Sequence, residues 1–101
     1  MFPVTYTYKN LNSKDKAFLS DYVAKKIDRI AALLKRYKTE DTRLEIKAET
    51  FATKAACKVE LILHLPRQII RANEDDHTII EATDLAVDKL IIQLRKLVNK
   101  K

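Results

Sequence analysis

Hydrophobic and polar residues alternate with a period of two in several stretches of the chain. The alternation covers 4–8, 43–49 and 57–65, and such a pattern predicts strands with one buried face. A short fourth strand is predicted over 69–72, after Pro66, because proline cannot donate to a strand ladder. The intervening residues 51–54 are expected to form a hairpin turn.

Two other segments show the three- to four-residue spacing of an amphipathic helix. In the first, the residues predicted to face the core are Leu19, Val23, Ile27, Ile30, Leu34 and Tyr37. In the second, they are Ile80, Thr83, Val87, Leu90, Leu94 and Leu97. Asn12 or Ser13 is expected to cap the first helix, and Thr78 and Glu81 have the spacing of a capping box that opens the second.

The predicted order of elements is therefore β-α-β-β-β-α. This order predicts an α+β fold in which 1–101 form a single domain. The expected architecture is a two-layer sandwich, with a four-stranded sheet and both helices on one of its faces. The polar positions of the strands would then face water on the other side.

Composition narrows the possible functions. The chain contains no glycine, which excludes the glycine-rich phosphate loops of nucleotide-binding proteins. No secretory signal or membrane-spanning run is expected, and the single cysteine, Cys57, fits a reducing cytoplasm. His64, His77 and Cys57 are not at the spacing of metal ligands. We predict no enzymatic activity, no metal, no cofactor and no small-molecule substrate.

The charges are sorted along the sequence. Residues 1–40 hold nine Lys or Arg against four Asp or Glu, and 77–101 hold five against three. Residues 41–76 hold six against seven. The net charge of +6 is thus concentrated on the two predicted helices, where it can attract phosphate groups.

On each helix the basic residues fall on one flank of the apolar face. The flank of the first helix carries Lys25, Arg29 and Arg36, and that of the second carries Lys89, Lys96 and Lys100. On the second helix, Glu81, Asp84 and Asp88 fall on the far side. A solvated charged face is the ordinary explanation, but it does not account for this sorting. Lys26 projects within the apolar stripe, where it either snorkels to water or presents its ammonium to a phosphate.

Several segments resemble the ribosome hibernation-promoting factor family, also called the sigma-factor modulation family. The last helix carries Asp84, Asp88-Lys89-Leu90, Gln93-Leu94 and Lys96 in the family's order. The first helix carries Tyr22-Val23 and Lys26-Ile27, with Arg29 at a usually basic position. Lys58-Val59-Glu60 and His64-Leu65-Pro66 are similar to the family's third strand. The chain resembles the short form of the family, without the further C-terminal domain of the long forms.

The resemblance implies a cytoplasmic factor that binds the small ribosomal subunit and its rRNA near the decoding centre. It would block mRNA and tRNA binding and inhibit translation under stress and in stationary phase. Matching positions give Lys26, Arg29, Lys89 and Lys96 as RNA-binding residues, while helical geometry alone adds Lys25, Arg36, Arg95 and Lys100. Ile92 stands where the family usually has arginine. The free protein is expected to be a monomer that does not bind membranes.

Two alternatives remain open from the sequence. A stand-alone double-stranded RNA-binding module also places helices on one face of a small sheet, although the loop glycines typical of such modules are missing here. A protein-interaction domain, in which the basic charge only confers solubility, would bind its partner with little dependence on salt.

Overall fold

A computed structural model of the chain describes residues 3–34, 41–51, 56–66 and 68–99. Its element order confirms the predicted β-α-β-β-β-α arrangement. The elements are β1 (Val4–Lys9), α1 (Ser13–Leu33), β2 (Arg43–Thr50), β3 (Cys57–Leu65), β4 (Gln68–Asp76) and α2 (Ile79–Asn99). The predicted turn over 51–54 falls mostly outside the described residues, as does Tyr37.

The four strands form one sheet in the order β1-β2-β3-β4. β1 pairs with β2 in parallel, and the β2–β3 and β3–β4 pairs are antiparallel. Strands β1, β2 and β4 therefore run in the same direction. Each helix follows one of these strands and returns against it, so α1 and α2 run parallel to each other and their C-terminal ends lie at the same end of the molecule.

The core lies between the sheet and the helix layer. Alternate residues of β2 and β3 are buried with the apolar faces of both helices in one hydrophobic cluster. Its large, fully buried members include Leu19, Val23, Ile30, Leu44, Ile46, Val59, Leu61, Leu63, Val87, Leu90 and Leu94. Cys57 belongs to the same cluster, as its position in the strand alternation predicts. The burial pattern confirms that both helices cover one face of the sheet.

The start of α2 differs from the prediction. Ile79 is buried at 5% exposure, whereas Ile80, predicted to face inward, is 53% exposed. One residue rotates a helix by about 100°, so Ile79 and Ile80 lie on opposite sides of the buried face of α2, and only Ile79 is covered. The buried hydroxyl of Thr83 donates to the carbonyl of Ile79 at 2.6 Å. Ile79 lies one turn before Thr83, on the buried face.

Strand β4 is also longer than predicted. It extends over nine residues to Asp76 instead of ending near Ala72. Its last two residues, Asp75 and Asp76, pair with Lys58 and Cys57 of β3. Aspartate is depleted in strands, so the sequence pattern was wrong here because pairing with β3 outweighs the local preference.

Both helices begin with side-chain caps. The side chain of Asn12 accepts a hydrogen bond from the Asp15 amide at 2.7 Å, and Thr78 Oγ1 accepts one from the Glu81 amide at 3.1 Å. Just before α1, Asn10 has a φ of 59°, in the left-handed region that asparagine tolerates better than most residues. The chain therefore makes this turn without glycine.

Replacing Asn12 with alanine should lower the free energy of unfolding by about 1 kcal/mol, because the first turn of α1 loses its cap. Urea denaturation measures the change as a lower midpoint with an unaltered slope. Asn12→Ser is the matched control, since serine keeps an oxygen that can accept from the Asp15 amide. Equal midpoints for the two variants would show that the cap contributes nothing to stability.

Candidate nucleic-acid interface

A tyrosine of α1 fixes how the two helices face each other. The Tyr22 hydroxyl donates to a carboxylate oxygen of Asp84 on α2. Asp88 and Arg29 act electrostatically on the same hydroxyl. Burial raises the pKa of Tyr22 above its ordinary value, and the hydrogen bond to Asp84 raises it further. The phenol therefore stays protonated near neutral pH and remains a donor to Asp84.

The predicted basic residues of α1 surround this tyrosine. Lys25, Lys26 and Arg29 lie three, four and seven residues beyond Tyr22, so they share its flank of the helix. The Lys26 ammonium lies 5.4 Å from the centre of the Tyr22 ring, a cation–π contact. Lys26 is half-buried, while Lys25 and Arg29 are exposed. The basic flank of α1 thus faces the groove between the helices.

The basic flank of α2 faces the opposite way, toward the free edge of β4. Lys89 forms an ion pair with Glu74 and donates to the Asn73 carbonyl at 3.5 Å. One turn later, Gln93 donates to the Arg71 carbonyl at 2.8 Å. These contacts cover carbonyl groups of an edge strand that would otherwise be open to pairing. Lys89 is therefore already engaged by an acid, and a phosphate would have to compete with Glu74 for it.

The remaining predicted residues divide between the two flanks. Arg95 lies three helical turns after Asp84, on the flank of α2 that faces α1, and it is exposed. Lys96 is exposed as well and follows Lys89 by two turns, on the flank beside β4. Arg36 and Lys100 lie outside the described residues. The body of α2 thus separates the basic flanks of the two helices.

The charged residues of α2 are separated by sign along the helix axis as well as around the helix. All three of its acids, Glu81, Asp84 and Asp88, precede all three of its described bases, Lys89, Arg95 and Lys96. Because the helices are parallel, the basic C-terminal half of α2 lies beside the half of α1 that carries Lys25, Lys26 and Arg29. We call these five exposed or half-buried residues the cationic end: Lys25, Lys26, Arg29, Arg95 and Lys96.

The order of acids before bases along α2 can be read from the sequence. Helical spacing alone, however, assigns the charged residues to helix flanks and not to positions along the helix axis. The acids of α2 were predicted to fall on the far side of the helix from its basic flank. In the structure, Asp84 accepts a hydrogen bond from Tyr22 of α1, and Asp84, Asp88 and Arg29 all act electrostatically on that hydroxyl. The side of α2 that carries Asp84 faces α1, so the inter-helix groove holds charges of both signs around Tyr22.

The outer face of the sheet carries charged side chains of both signs. One row of cross-strand neighbours reads Lys9, Glu49, Lys58 and Asp75, with alternating sign. Among the outer-face pairs, Lys9 and Glu49 approach to 3.6 Å, His64 and Glu45 to 2.9 Å, and Arg71 and Glu60 to 3.5 Å. Cross-strand charge pairs are thus present on this face. Compensated charges of this kind attract a polyanion less than the cationic end does.

His64 is paired with an acid on the outer face of the sheet. Its ring nitrogen lies 2.9 Å from a carboxylate oxygen of Glu45, and this hydrogen bond lowers the pKa of Glu45. Beside this pair, Ile62 is 2% exposed although it lies on the outer face. Long charged side chains on the neighbouring strands can cover such an apolar residue with their stems.

At the beginning of α2, a carboxyl pair marks the acidic end of the helix. The hydrogen bond with Asp76 raises the pKa of Glu81, while the His77 amide, which donates to Asp76 at 2.7 Å, lowers the pKa of Asp76. Within the described ranges, no three His, Cys, Asp or Glu side chains are grouped closely enough to hold a metal ion. In the same part of the chain, neither helix is long and apolar enough to cross a membrane.

The fold and the cationic end define a small α+β protein whose candidate site is a charged surface on its helix layer. The sequence model of the family described as "Sigma 54 modulation protein / S30EA ribosomal protein" matches residues 4–101. The chain belongs to this family, as the resemblance of its last helix indicated.

Solved structures share the architecture. The crystal structure of the N-terminal domain of Thermus thermophilus Protein Y matches with a TM-score of 0.72 and 27% identity, covering 96% of this chain and 99% of that one. A ribosomal subunit interface protein from Coxiella burnetii matches with a TM-score of 0.67 and 19% identity, covering 98% and 100%. The second likeness concerns the fold alone.

Proposed function

We propose that this protein is a ribosome hibernation factor. It binds the small ribosomal subunit near the decoding centre, excludes mRNA and tRNA, and inhibits translation in the cytoplasm under stress and in stationary phase. Family membership supports this function at the level of ribosome association. The observation that carries the proposal is the cationic end, whose five basic residues lie in the C-terminal halves of two parallel helices, with Lys96 on the flank of α2 that faces β4.

The arrangement suits a folded RNA better than a protein partner. Lysine and arginine contacts to phosphate position a protein on RNA without reading its sequence. The shape of the folded RNA must then supply the specificity. The compensated outer face of the sheet offers less attraction, so we propose that the helix layer is the side that approaches the subunit.

Co-sedimentation tests the proposal. The protein should pellet with purified small subunits at moderate salt and should remain in the supernatant with large subunits alone. With about six phosphate contacts, the affinity should fall by roughly a thousandfold between 50 and 200 mM salt, because each contact releases counterions. Bound protein should also prevent mRNA and tRNA from binding to the same subunits.

Three outcomes would contradict the proposal. One is protein that stays unbound while the small subunits pellet at low salt. A second is equal affinity for plain duplex RNA, which would indicate a general double-stranded RNA-binding module. The third is ribosome binding that does not respond to salt, which would indicate a protein-interaction domain.

A further inference from the structure

A groove runs along the free edge of β4 beside the C-terminal half of α2. Its volume is about 390 Å³, within the range of small-ligand sites at roughly 300–1,000 Å³. Lys96, Gln93 and Leu97 of α2 line one side, and the segment from Gln68 to Arg71 lines the other. We call it the edge groove.

The edge groove offers several hydrogen-bond donors. In an antiparallel strand pair, alternate residues point both their N–H and C=O groups away from the partner strand. The bond from Gln93 shows that the Arg71 carbonyl points to the free edge. The amides of Arg71 and of Ile69, two residues earlier, therefore point there too. Lys96 adds an ammonium group at the same place.

Two of the acceptors along this edge are already used, although the Ile69 carbonyl points there as well. Gln93 occupies the Arg71 carbonyl, and Lys89 occupies the Asn73 carbonyl. An added peptide strand needs donors and acceptors in alternation, so the covered carbonyls disfavour it. An anion needs only donors. The partly buried side chain of Leu97 lines the same groove, with the buried Ile70 beside it, and can accept the face of a base.

We infer that the edge groove holds one unpaired ribonucleotide of the RNA to which the protein binds, with its phosphate at Lys96 and its base against Leu97. This inference rests on the proposed ribosome binding and adds to it a second contact, on the opposite flank of α2 from the inter-helix groove. Unstacked nucleotides of structured RNAs are commonly recognised by charged contacts to phosphate together with stacking of the base on an aromatic or guanidinium plane. In the edge groove the aliphatic side chain of Leu97 would take the place of that plane.

A carboxylate at the mouth of the groove should repel the phosphate. Gln68→Glu should weaken binding to the small subunit about tenfold, measured by filter binding at one moderate salt concentration. Asn73→Asp is the matched control. It makes the same amide-to-carboxylate change on the same exposed strand, but on the outer face of the sheet, and its affinity should stay within about twofold of wild type.

Equal affinities for Gln68→Glu and Asn73→Asp would overturn the inference while leaving the proposed function intact, provided that both variants still bind. Loss of binding by the unaltered protein would instead refute the proposed function. Thermal unfolding of both variants should match wild type, because both positions are exposed.

A photochemical crosslink identifies the occupant. Gln68→Cys, in a Cys57→Ala background and carrying a benzophenone, should crosslink to an unpaired rRNA nucleotide when bound to the subunit. Primer extension then locates the nucleotide. Crosslinks to a ribosomal protein alone would overturn the inference in favour of a peptide occupant, and a crosslink confined to base-paired rRNA would also contradict it.

Discussion

Replacing both Lys25 and Arg95 with glutamate should lower the affinity for the small ribosomal subunit by at least about a hundredfold. Each replacement removes an attraction to phosphate and introduces a repulsion. The two residues lie on different helices within the cationic end, and both are exposed. The fold should therefore survive the change, with a cooperative unfolding transition close to that of wild type.

A control variant must distinguish the effect of net charge from the effect of where the charges lie. Each reversal lowers the net charge by two, so the double variant carries +2 in place of +6. Lys14→Glu with Lys58→Glu has the same net charge, but Lys14 lies in the first turn of α1 and Lys58 on the outer face of the sheet. This control should lose much less affinity. Equal losses in titrations of the two double variants would show that the cationic end is not the interface.

Truncation of Leu90 to alanine should destabilise the protein by roughly 2–5 kcal/mol, the usual range for a large aliphatic residue in a packed core. Leu90 is fully buried among the residues of α2 that face the sheet. Domains of this size have unfolding free energies of roughly 5–15 kcal/mol. The melting temperature should therefore fall by about 4–8 °C for each kcal/mol lost.

Leu85 supplies the comparison on the same helix. It is 42% exposed, and alanine is the better helix former of the two. Leu85→Ala should therefore change the unfolding free energy by at most about 0.5 kcal/mol. Calorimetry of the two variants measures the difference directly. If both melted at the same temperature, the packing of α2 on the sheet would differ from that described here.

The strands and their inward faces were predictable from sequence because alternation has a period of two. A one-residue error would have exposed Leu44, Ile46 and Leu61 together. The start of α2 was harder, since Ile79 and Ile80 are adjacent and equally apolar. The packing of α2 distinguishes them, leaving Ile79 5% and Ile80 53% exposed, and hydrophobic spacing contains no information about that packing.

The basic residues of the candidate site were predictable from the sequence, but their arrangement on the surface was not. Helical spacing places Lys25, Lys26 and Arg29 on one flank, yet it does not say which element that flank faces. The Tyr22–Asp84 contact joins positions 62 residues apart, a separation at which local patterns say nothing. The pairing of Lys89 with Glu74 and the contact of Gln93 with β4 also depend on how α2 rests on the sheet, which a single sequence leaves undetermined.

The order of acids before bases along α2 has a consequence for encounter kinetics. It gives the molecule an electric dipole moment, so a surrounding field exerts a torque on it before any contact forms. Near a polyanion, the molecule rotates to present its basic pole first, which makes productive collisions more frequent. Interchanging Glu81 and Lys96 would leave the composition unaltered but reduce this alignment. We expect a lower association rate constant for that variant.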